Sequence, residues 1–252
     1  MKGCSLRCAW CHNPEGLSSS PQLQYFAEKC IGCAACGDRN RLSDAKKCPA
    51  DALKICGIEM EEEEVLHEVL QDRIFYADNG GITFSGGECL LQADFVSRVL
   101  AHAKKEKLHT AIDTAGCVPW SAFEKTMPFC DLYLYDVKCM NPSVHKKYTG
   151  VDNALILRNL QQLSAQNKTI WIRIPVIPGF NDRADEMNHI AEFIAALPAV
   201  QQVTLMPYHT LGASKYETLG IPYPFDPGKK ISEEDMASFG KIFLQHHLNL
   251  IQ

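Results

Sequence analysis

Three cysteines near the start of the chain have the type and spacing for binding an iron–sulfur cluster. Cys4, Cys8 and Cys11 are separated by three and then two residues. So short a loop can bring three thiolates to three corners of one cluster, and such clusters usually have four cysteine ligands. The missing fourth ligand predicts an iron that is free to bind a small molecule, and therefore chemistry as well as electron storage.

Two other interpretations of this loop are open. Zinc also takes cysteines at short spacing, although zinc loops usually come as two pairs. Cysteines are also common as small, buried apolar side chains. The cluster interpretation is favoured because further motifs accompany the loop along the chain.

The cysteine loop resembles the signature of radical S-adenosylmethionine (SAM) enzymes, with an aromatic residue before the third cysteine. The continuation His12-Asn13-Pro14-Glu15, preceded by Lys2 and Gly3, is similar to the activating enzymes of glycyl radical enzymes, a group that includes pyruvate formate-lyase activase. Matching motifs recur through about residue 210.

That resemblance implies an oxidoreductase whose catalytic centre is a SAM-binding [4Fe-4S] cluster held by Cys4, Cys8 and Cys11. SAM would be cleaved reductively to methionine and a 5′-deoxyadenosyl radical, and the radical would take hydrogen from a glycine of a partner enzyme. The rivals are a radical SAM enzyme that acts on a small molecule and a two-cluster electron-transfer protein.

A second cysteine group follows, with three close cysteines and a distant cysteine-proline pair, as in bacterial ferredoxins: Cys30, Cys33, Cys36 and Cys48. It predicts one further [4Fe-4S] cluster in a ferredoxin-like insert over residues 27–57. Residues 1–26 and 58–252 would then form the main domain. Zinc is the alternative, because four cysteines also make a tetrahedral site. Cys56 has no assigned partner.

Composition limits the possible partners and location. The 252-residue chain has a net charge of −5 and no strongly basic run, so we expect no nucleic acid partner. It has no long uncharged apolar run and no export signal, so we expect no membrane partner. Twelve cysteines, mostly clustered, then indicate a cytoplasmic, oxygen-sensitive protein with metal-bound thiolates rather than disulfides.

Beyond the insert, short apolar runs alternate with amphipathic ones, which predicts parallel strands joined by helices. Residues 17–26 are expected to be a polar connection. The predicted strands are 82–85, 110–113, 132–137, 169–176 and 203–206. The predicted helices are 61–71, 92–105, 120–126, 154–165, 185–196 and 233–246. The resemblance implies a six-stranded partial (β/α)6 barrel of the TIM type, whose first strand precedes the cysteine loop, so that this chain begins one strand late.

Polar residues follow the predicted strands, where parallel α/β barrels place their active sites. Gly86, Gly87 and Glu88 follow the first strand, and the glycines allow a ligand to approach the backbone closely. Glu88 can accept a hydrogen bond from an amine, and the resemblance implies that this motif binds the amino group of SAM. A simple strand-to-helix turn is the alternative.

The next two strands end in candidate ligands for a hard cation and for the SAM carboxylate. Asp113 and Thr114 end one strand, and Asp136 and Lys138 end the next. Oxygen ligands suit a cation, and the resemblance implies a monovalent cation at Asp113, Thr114 and Asp136, with Lys138 reaching the carboxylate. The alternatives are a helix cap for Asp113 and a surface amine for Lys138.

Two later residues complete the predicted site. Arg173 interrupts an apolar strand and needs an anionic partner, which the resemblance places at the SAM or substrate end of the barrel. His209 resembles the family histidine near the SAM ribose, although a lone histidine is more often structural. Four other histidines are expected to be surface residues: His102, His145, His246 and His247.

The resemblance also implies protein partners. Flavodoxin or ferredoxin would supply electrons through the insert cluster, and a glycyl radical enzyme would be the protein substrate. Residues 214–229 are the candidates for determining partner specificity. The sequence leaves open whether the partner is a formate-lyase, a diol dehydratase, an amine lyase or a decarboxylase.

Overall fold

Six parallel strands form the central sheet of the protein, in a computed structural model that describes residues 1–77, 79–226 and 228–251. The strands and helices are, in chain order, β1 (Gln22–Tyr25), β2 (Leu53–Cys56), α1 (Glu62–Gln71), β3 (Gly81–Phe84), α2 (Ala93–Lys105), β4 (His109–Thr114), α3 (Trp120–Thr126), β5 (Leu132–Asp136), α4 (Pro142–Thr149), α5 (Ala154–Ala165), β6 (Ile170–Val176), α6 (Ala184–Ala195), β7 (Val200–Pro207), α7 (Ala213–Thr218), α8 (Glu233–Gln245) and β8 (Leu250–Ile251).

The sheet follows the order of the sequence from β3 to β8, and every neighbouring pair is parallel. One or more helices connect each pair, so the sheet must be covered and its strands must be apolar. In β6, alternate side chains from Ile170 to Val176 are fully buried. The predicted partial barrel is confirmed as the fold class, and the carboxyl ends of its strands lie at one edge.

All six predicted helices and all five predicted strands are present, with ends displaced by a few residues. Two further helices, α4 and α7, were not predicted, although α4 has readable start signals. Its cap Asn141 accepts hydrogen bonds from the backbone N–H groups of Ser143 and Val144, at 3.0 and 3.1 Å, and Pro142 is its first residue.

A sixth strand of the sheet, β8, was also missed. Its two residues pair with Val203 and Thr204 of β7 at the edge of the sheet. A two-residue strand is too short to show the alternation on which strand prediction depends.

A small antiparallel sheet joins β1 to β2, with Gln22 opposite Cys56 and Tyr25 opposite Leu53. The predicted polar connection over residues 17–26 therefore contains a short strand, β1, that was not predicted. This ladder brings together the two ends of the segment that holds the second cysteine group. The division into a main domain and a ferredoxin-like insert remains a prediction.

None of the helices within the described ranges combines the length and apolar character needed to cross a bilayer.

Candidate active site

One open cavity of about 250 Å³ lies at the carboxyl ends of the strands. Ten of the eleven residues predicted for SAM and its cluster line this cavity: Cys4, Cys8, Cys11, Gly86, Gly87, Asp113, Asp136, Lys138, Arg173 and His209. They come from the cysteine loop and from the ends of five strands. The cavity therefore brings together residues that are up to about two hundred positions apart, because parallel strands all end at the same edge.

The cysteine loop is anchored to the barrel on two sides. The backbone N–H groups of Arg7 and Ala9 donate to the carbonyls of Thr149 and Tyr148, at 2.7 and 3.0 Å. Trp10, the aromatic residue of the motif, is buried against Phe180 with ring centroids 4.6 Å apart. The motif therefore needs its aromatic residue to fasten the loop to the protein core.

The donor chemistry of the loop fits an iron–sulfur cluster. The Leu6 N–H points at the Cys4 sulfur at 3.4 Å. Such hydrogen bonds stabilise cluster thiolates. With no cluster, burial raises the pKa of Cys8 to about 12, so that this thiol is protonated.

No three His, Cys, Asp or Glu side chains in the described ranges converge closely enough to hold a single metal ion. This finding concerns a mononuclear site. A cubane cluster spreads its ligands over separate irons, so its cysteines stand farther apart than the ligands of one zinc ion.

The double glycine packs the start of the cysteine loop against the end of β3. The Gly87 N–H donates to the Met1 carbonyl at 3.0 Å, and the Glu88 N–H donates to the Gly3 carbonyl at 2.7 Å. A Cβ on Gly87 would overlap the backbone oxygens of Gly3 and Gly16. The absence of side chains therefore lets two backbone segments approach each other beside the cavity.

Glu88 is the predicted residue that does not line the cavity. Its carboxylate is fully buried and accepts hydrogen bonds from the Thr114 hydroxyl, the Ala115 N–H and the Leu90 N–H, at 2.9, 2.9 and 3.2 Å. Burial raises the pKa of Glu88 to about 7 despite these donors. In this arrangement Glu88 ties the loop after β3 to the loop after β4.

Four charged side chains form one wall of the cavity. Arg173 donates to Asp113 and, at 2.9 and 3.1 Å, to Asp136, while Lys138 donates to Asp136 at 2.7 Å. The predicted anionic partner of Arg173 is therefore this aspartate pair. Lys138 is buried beside Asp136, and the alternative of a solvated surface amine is wrong.

The two aspartates have different pKa shifts. Burial and the neighbouring Asp136 charge raise the pKa of Asp113, although Arg173 and the Ser85 hydroxyl oppose the rise. Burial also acts to raise the pKa of Asp136, but Lys138 and Arg173 together hold it below its usual value. Asp136 is therefore the more firmly ionised member of the pair.

The three residues predicted to bind a monovalent cation do not converge as a set of free oxygen ligands. The Thr114 hydroxyl donates to Glu88, and both aspartates accept from protein donors. The positive charge between the two aspartates is that of Arg173. The monovalent cation remains a prediction.

His209 lies at the cavity mouth and contacts the histidine of the cysteine motif. The rings of His209 and His12 stack with centroids 4.1 Å apart. His145, by contrast, is buried, and its Nδ1 contacts the Val151 carbonyl at 2.7 Å and the Thr149 hydroxyl at 3.0 Å. The prediction of His145 as a surface residue is wrong, because the end of α4 folds its backbone over the ring.

The second cysteine group lies outside this cavity, near the protein surface. Cys30 and Cys33 are exposed, and Cys36 and Cys48 are half-buried. The Tyr25 hydroxyl lowers the pKa of Cys30. These four cysteines remain predicted ligands of a second cluster.

The site also uses residues that sequence reasoning did not assign. Asn181 is fully buried and donates to the carbonyls of Lys138 and Pro175, at 2.8 and 2.7 Å, which joins the loops after β5 and β6. Lys215 reaches the cysteine motif from α7, at 2.7 Å from Asn13. Asn181 follows a proline-glycine turn, which is only a weak sequence indication of a functional role. No local sequence pattern indicates a role for Lys215.

The chain is similar to known proteins over most of its length. The profile of the radical SAM superfamily matches residues 1–194. The (2S)-3-sulfopropanediol dehydratase activating enzyme of Klebsiella oxytoca is 36% identical over 88% of this chain and 80% of its own length. The isethionate sulfite-lyase activating enzyme of Desulfovibrio desulfuricans is 38% identical over 89% of this chain and 81% of its own.

Among solved structures, a domain of a pyruvate-formate lyase-activating enzyme from Bacteroides vulgatus is similar, with a TM-score of 0.59 and 30% identity. The match covers 69% of this chain and 98% of that domain. The chain belongs to the radical SAM superfamily, in the group of activating enzymes for glycyl radical enzymes. The predicted family and enzyme class are confirmed.

Proposed function

We propose that this protein activates a glycyl radical enzyme, using SAM and a [4Fe-4S] cluster held by Cys4, Cys8 and Cys11. The observation that carries the proposal is that these three thiols share one cavity with a wall of paired charges and a close-packed glycine pair. Three thiols suit a cluster with one open iron. The charged wall suits the amino and carboxylate groups of an amino acid ligand.

With a cluster held by Cys4, Cys8 and Cys11, one electron would pass to the sulfonium of SAM, and carbon–sulfur cleavage would give methionine and a 5′-deoxyadenosyl radical that takes a hydrogen atom from the partner's glycine. The products are 5′-deoxyadenosine and a glycyl radical on the partner. No protein acid or base is needed.

The residues of this chain would hold SAM in place. Lys138 is buried, which acts to lower its pKa, but the attraction of Asp136 and Cys8 together with the hydrogen bond to Asp136 raises the pKa above its usual value. It can therefore bind the carboxylate of SAM as an ammonium. Asp113 faces the cavity and can accept from the amino group, a role that the sequence had suggested for the motif ending in Glu88. His209 at the cavity mouth would contact the ribose.

We further propose that the second cysteine group holds a [4Fe-4S] cluster that receives electrons from flavodoxin or ferredoxin. Residues 27–57 contain six basic and four acidic residues, a net charge of +2, whereas the whole chain has a net charge of −5. A basic patch would attract an acidic donor and increase the rate of encounter.

All twelve cysteines are free thiols, which agrees with a cytoplasmic location.

A peptide segment of the partner would enter the cavity from its open side. Met206 lines the cavity and is 38% exposed, and Leu211, two residues after His209, is 80% exposed. Apolar side chains at the mouth suit contact with a protein loop. The relatives act with a dehydratase and a sulfite-lyase, and we propose a partner of this general class.

Anaerobic reconstitution with iron and sulfide, followed by reduction in the presence of SAM, tests the proposal. We expect 5′-deoxyadenosine from the wild-type protein and none from the Cys8→Ala variant. Clusters that assemble in the wild type without giving this product would contradict the proposal and favour the electron-transfer alternative.

A further inference from the structure

The short helix α7 contacts the cysteine motif through Lys215, whose side chain is half-buried. The Lys215 ammonium donates to the side-chain oxygen of Asn13 and to the Glu15 carboxylate, both at 2.7 Å. One lysine therefore joins two side chains of the His-Asn-Pro-Glu segment, about two hundred residues away along the chain. Glu15 is only 24% exposed, so this ion pair is partly shielded from water.

Two neighbours of Lys215 contact the same segment. The Tyr216 hydroxyl donates to the Cys11 carbonyl at 2.9 Å. Gly212 packs so closely that a Cβ there would lie 2.7 Å from the Cα of His12. Residues 212–216 thus contact four of the five residues from Cys11 to Glu15.

The contact with Asn13 links Lys215 to the cluster site. The Asn13 side chain is held by Lys215, and Asn13 lies two residues after Cys11, whose carbonyl accepts from the Tyr216 hydroxyl. The backbone hydrogen bonds of residues 11–15 are Cys11 N–H to Cys8, Gly16 N–H to Asn13 and Leu17 N–H to Pro14, at 3.1, 2.9 and 3.1 Å. Contacts from outside the segment, with Lys2, His209 and α7, therefore contribute to fixing the third cysteine, and Lys215 is the one that holds two of its side chains.

We propose that Lys215 is a positioning residue that fixes the position of Cys11 through Asn13 and Glu15. The proposal deepens the proposed function, since the loop in question is the one that would hold the SAM-binding cluster. The positioning role makes a prediction that does not depend on the cluster. Without Lys215, local opening of residues 11–15 becomes more frequent, whether or not a cluster is bound.

Hydrogen exchange of the full chain tests this in the absence of iron. Lys215→Met keeps much of the aliphatic length and removes the ammonium, and Lys215→Arg keeps the positive charge and the donors. Lys241→Met, at an exposed lysine of α8, is the matched control. We expect amides of residues 8–17 to exchange at least about threefold faster in Lys215→Met, a measurable local opening. Lys215→Arg and Lys241→Met should resemble the wild type.

The reconstituted protein gives a second readout. We expect an iron chelator to remove iron severalfold faster from the Lys215→Met protein, and the electron paramagnetic resonance spectrum of its reduced cluster to change. If Lys215→Met leaves both exchange and iron release unchanged, or speeds exchange equally throughout the chain, the positioning role is wrong. Neither readout uses SAM or a partner, so this failure is distinct from failure of the proposed activity.

Discussion

Arg173 donates through both Nε and Nη2 to a single oxygen of Asp136, at 3.1 and 2.9 Å. The same guanidinium contacts Asp113 on the neighbouring strand end. Arg173 therefore holds two carboxylates together that would otherwise repel each other, at the point where SAM is proposed to bind. A planar group with several donors is suited to this bridging, as an ammonium would not be.

Removal of this bridge should weaken SAM binding. In Arg173→Gln the two aspartates lose the charge between them, one takes up a proton, and the wall rearranges. We expect SAM affinity of the reconstituted protein to fall about tenfold or more, which corresponds to about 1.4 kcal/mol or more. Anaerobic equilibrium binding measures it, with the exposed Arg158→Gln as control. Equal affinity in the two variants would refute the bridging role.

Cysteine substitutions should separate the two proposed clusters. We expect roughly eight irons per wild-type chain and roughly four in either Cys8→Ala or Cys33→Ala, because each variant loses one cubane. Of the two variants, only Cys33→Ala should show a change in the spectrum of its reduced cluster when SAM is added, because it keeps the cluster with the open iron. Recovery of zinc with four irons in the wild type would instead establish the zinc alternative for the second group.

Glu88 should make the stability of the apoprotein depend on pH. Its pKa is raised from 4.5 to about 7, so the folded state keeps a proton that the unfolded state has lost. Stability should therefore fall as pH rises through this window, by about 3 kcal/mol. Glu88→Gln cannot titrate and serves as the reference. Urea unfolding of both proteins from about pH 4 to pH 8 measures the change, and a constant difference between them would be incompatible with this pKa.

Gly87 should not tolerate a side chain. The Cβ of Gly87→Ala would overlap backbone oxygens on both sides of the cysteine loop, and such overpacking typically costs about 1–3 kcal/mol. We expect a lower midpoint of denaturant unfolding and a lower iron content after reconstitution. Gly240→Ala, in the middle of α8, is the control: helix propensity favours alanine by up to about 1 kcal/mol, and the new Cβ would lie 3.1 Å from the end of the Leu250 side chain, which can shift, so we expect a midpoint close to that of the wild type. A wild-type midpoint for Gly87→Ala would mean that the loop moves freely.

The sequence was sufficient to place the charged wall, because Asp113 and Asp136 lie at the ends of their strands and Arg173 interrupts an otherwise apolar strand. Parallel strands share one edge, so residues at their ends meet there irrespective of their separation along the chain. The cysteine loop could be recognised from the spacing of its three cysteines alone. These parts of the site depend on local patterns and on one rule of topology.

Other features of the fold and the site depend on contacts between distant residues, which local sequence patterns do not predict. Glu88 points into the protein rather than into the cavity, since the direction of a side chain after two glycines depends on the packing of Thr114 and Ala115. The approach of Lys215 to the cysteine motif needs the folded barrel. The edge strand β8 has too few residues for a periodic signal.

Transfer of hydrogen from the partner's glycine is the central claim, and isotope transfer tests it most directly. A candidate glycyl radical enzyme labelled with deuterium at its glycine α-carbons would be mixed anaerobically with the reduced, reconstituted protein and SAM. We predict deuterium in the 5′-deoxyadenosine and a radical signal on the partner. Unlabelled 5′-deoxyadenosine, with no radical on any candidate partner, would contradict the account and indicate a small-molecule substrate instead.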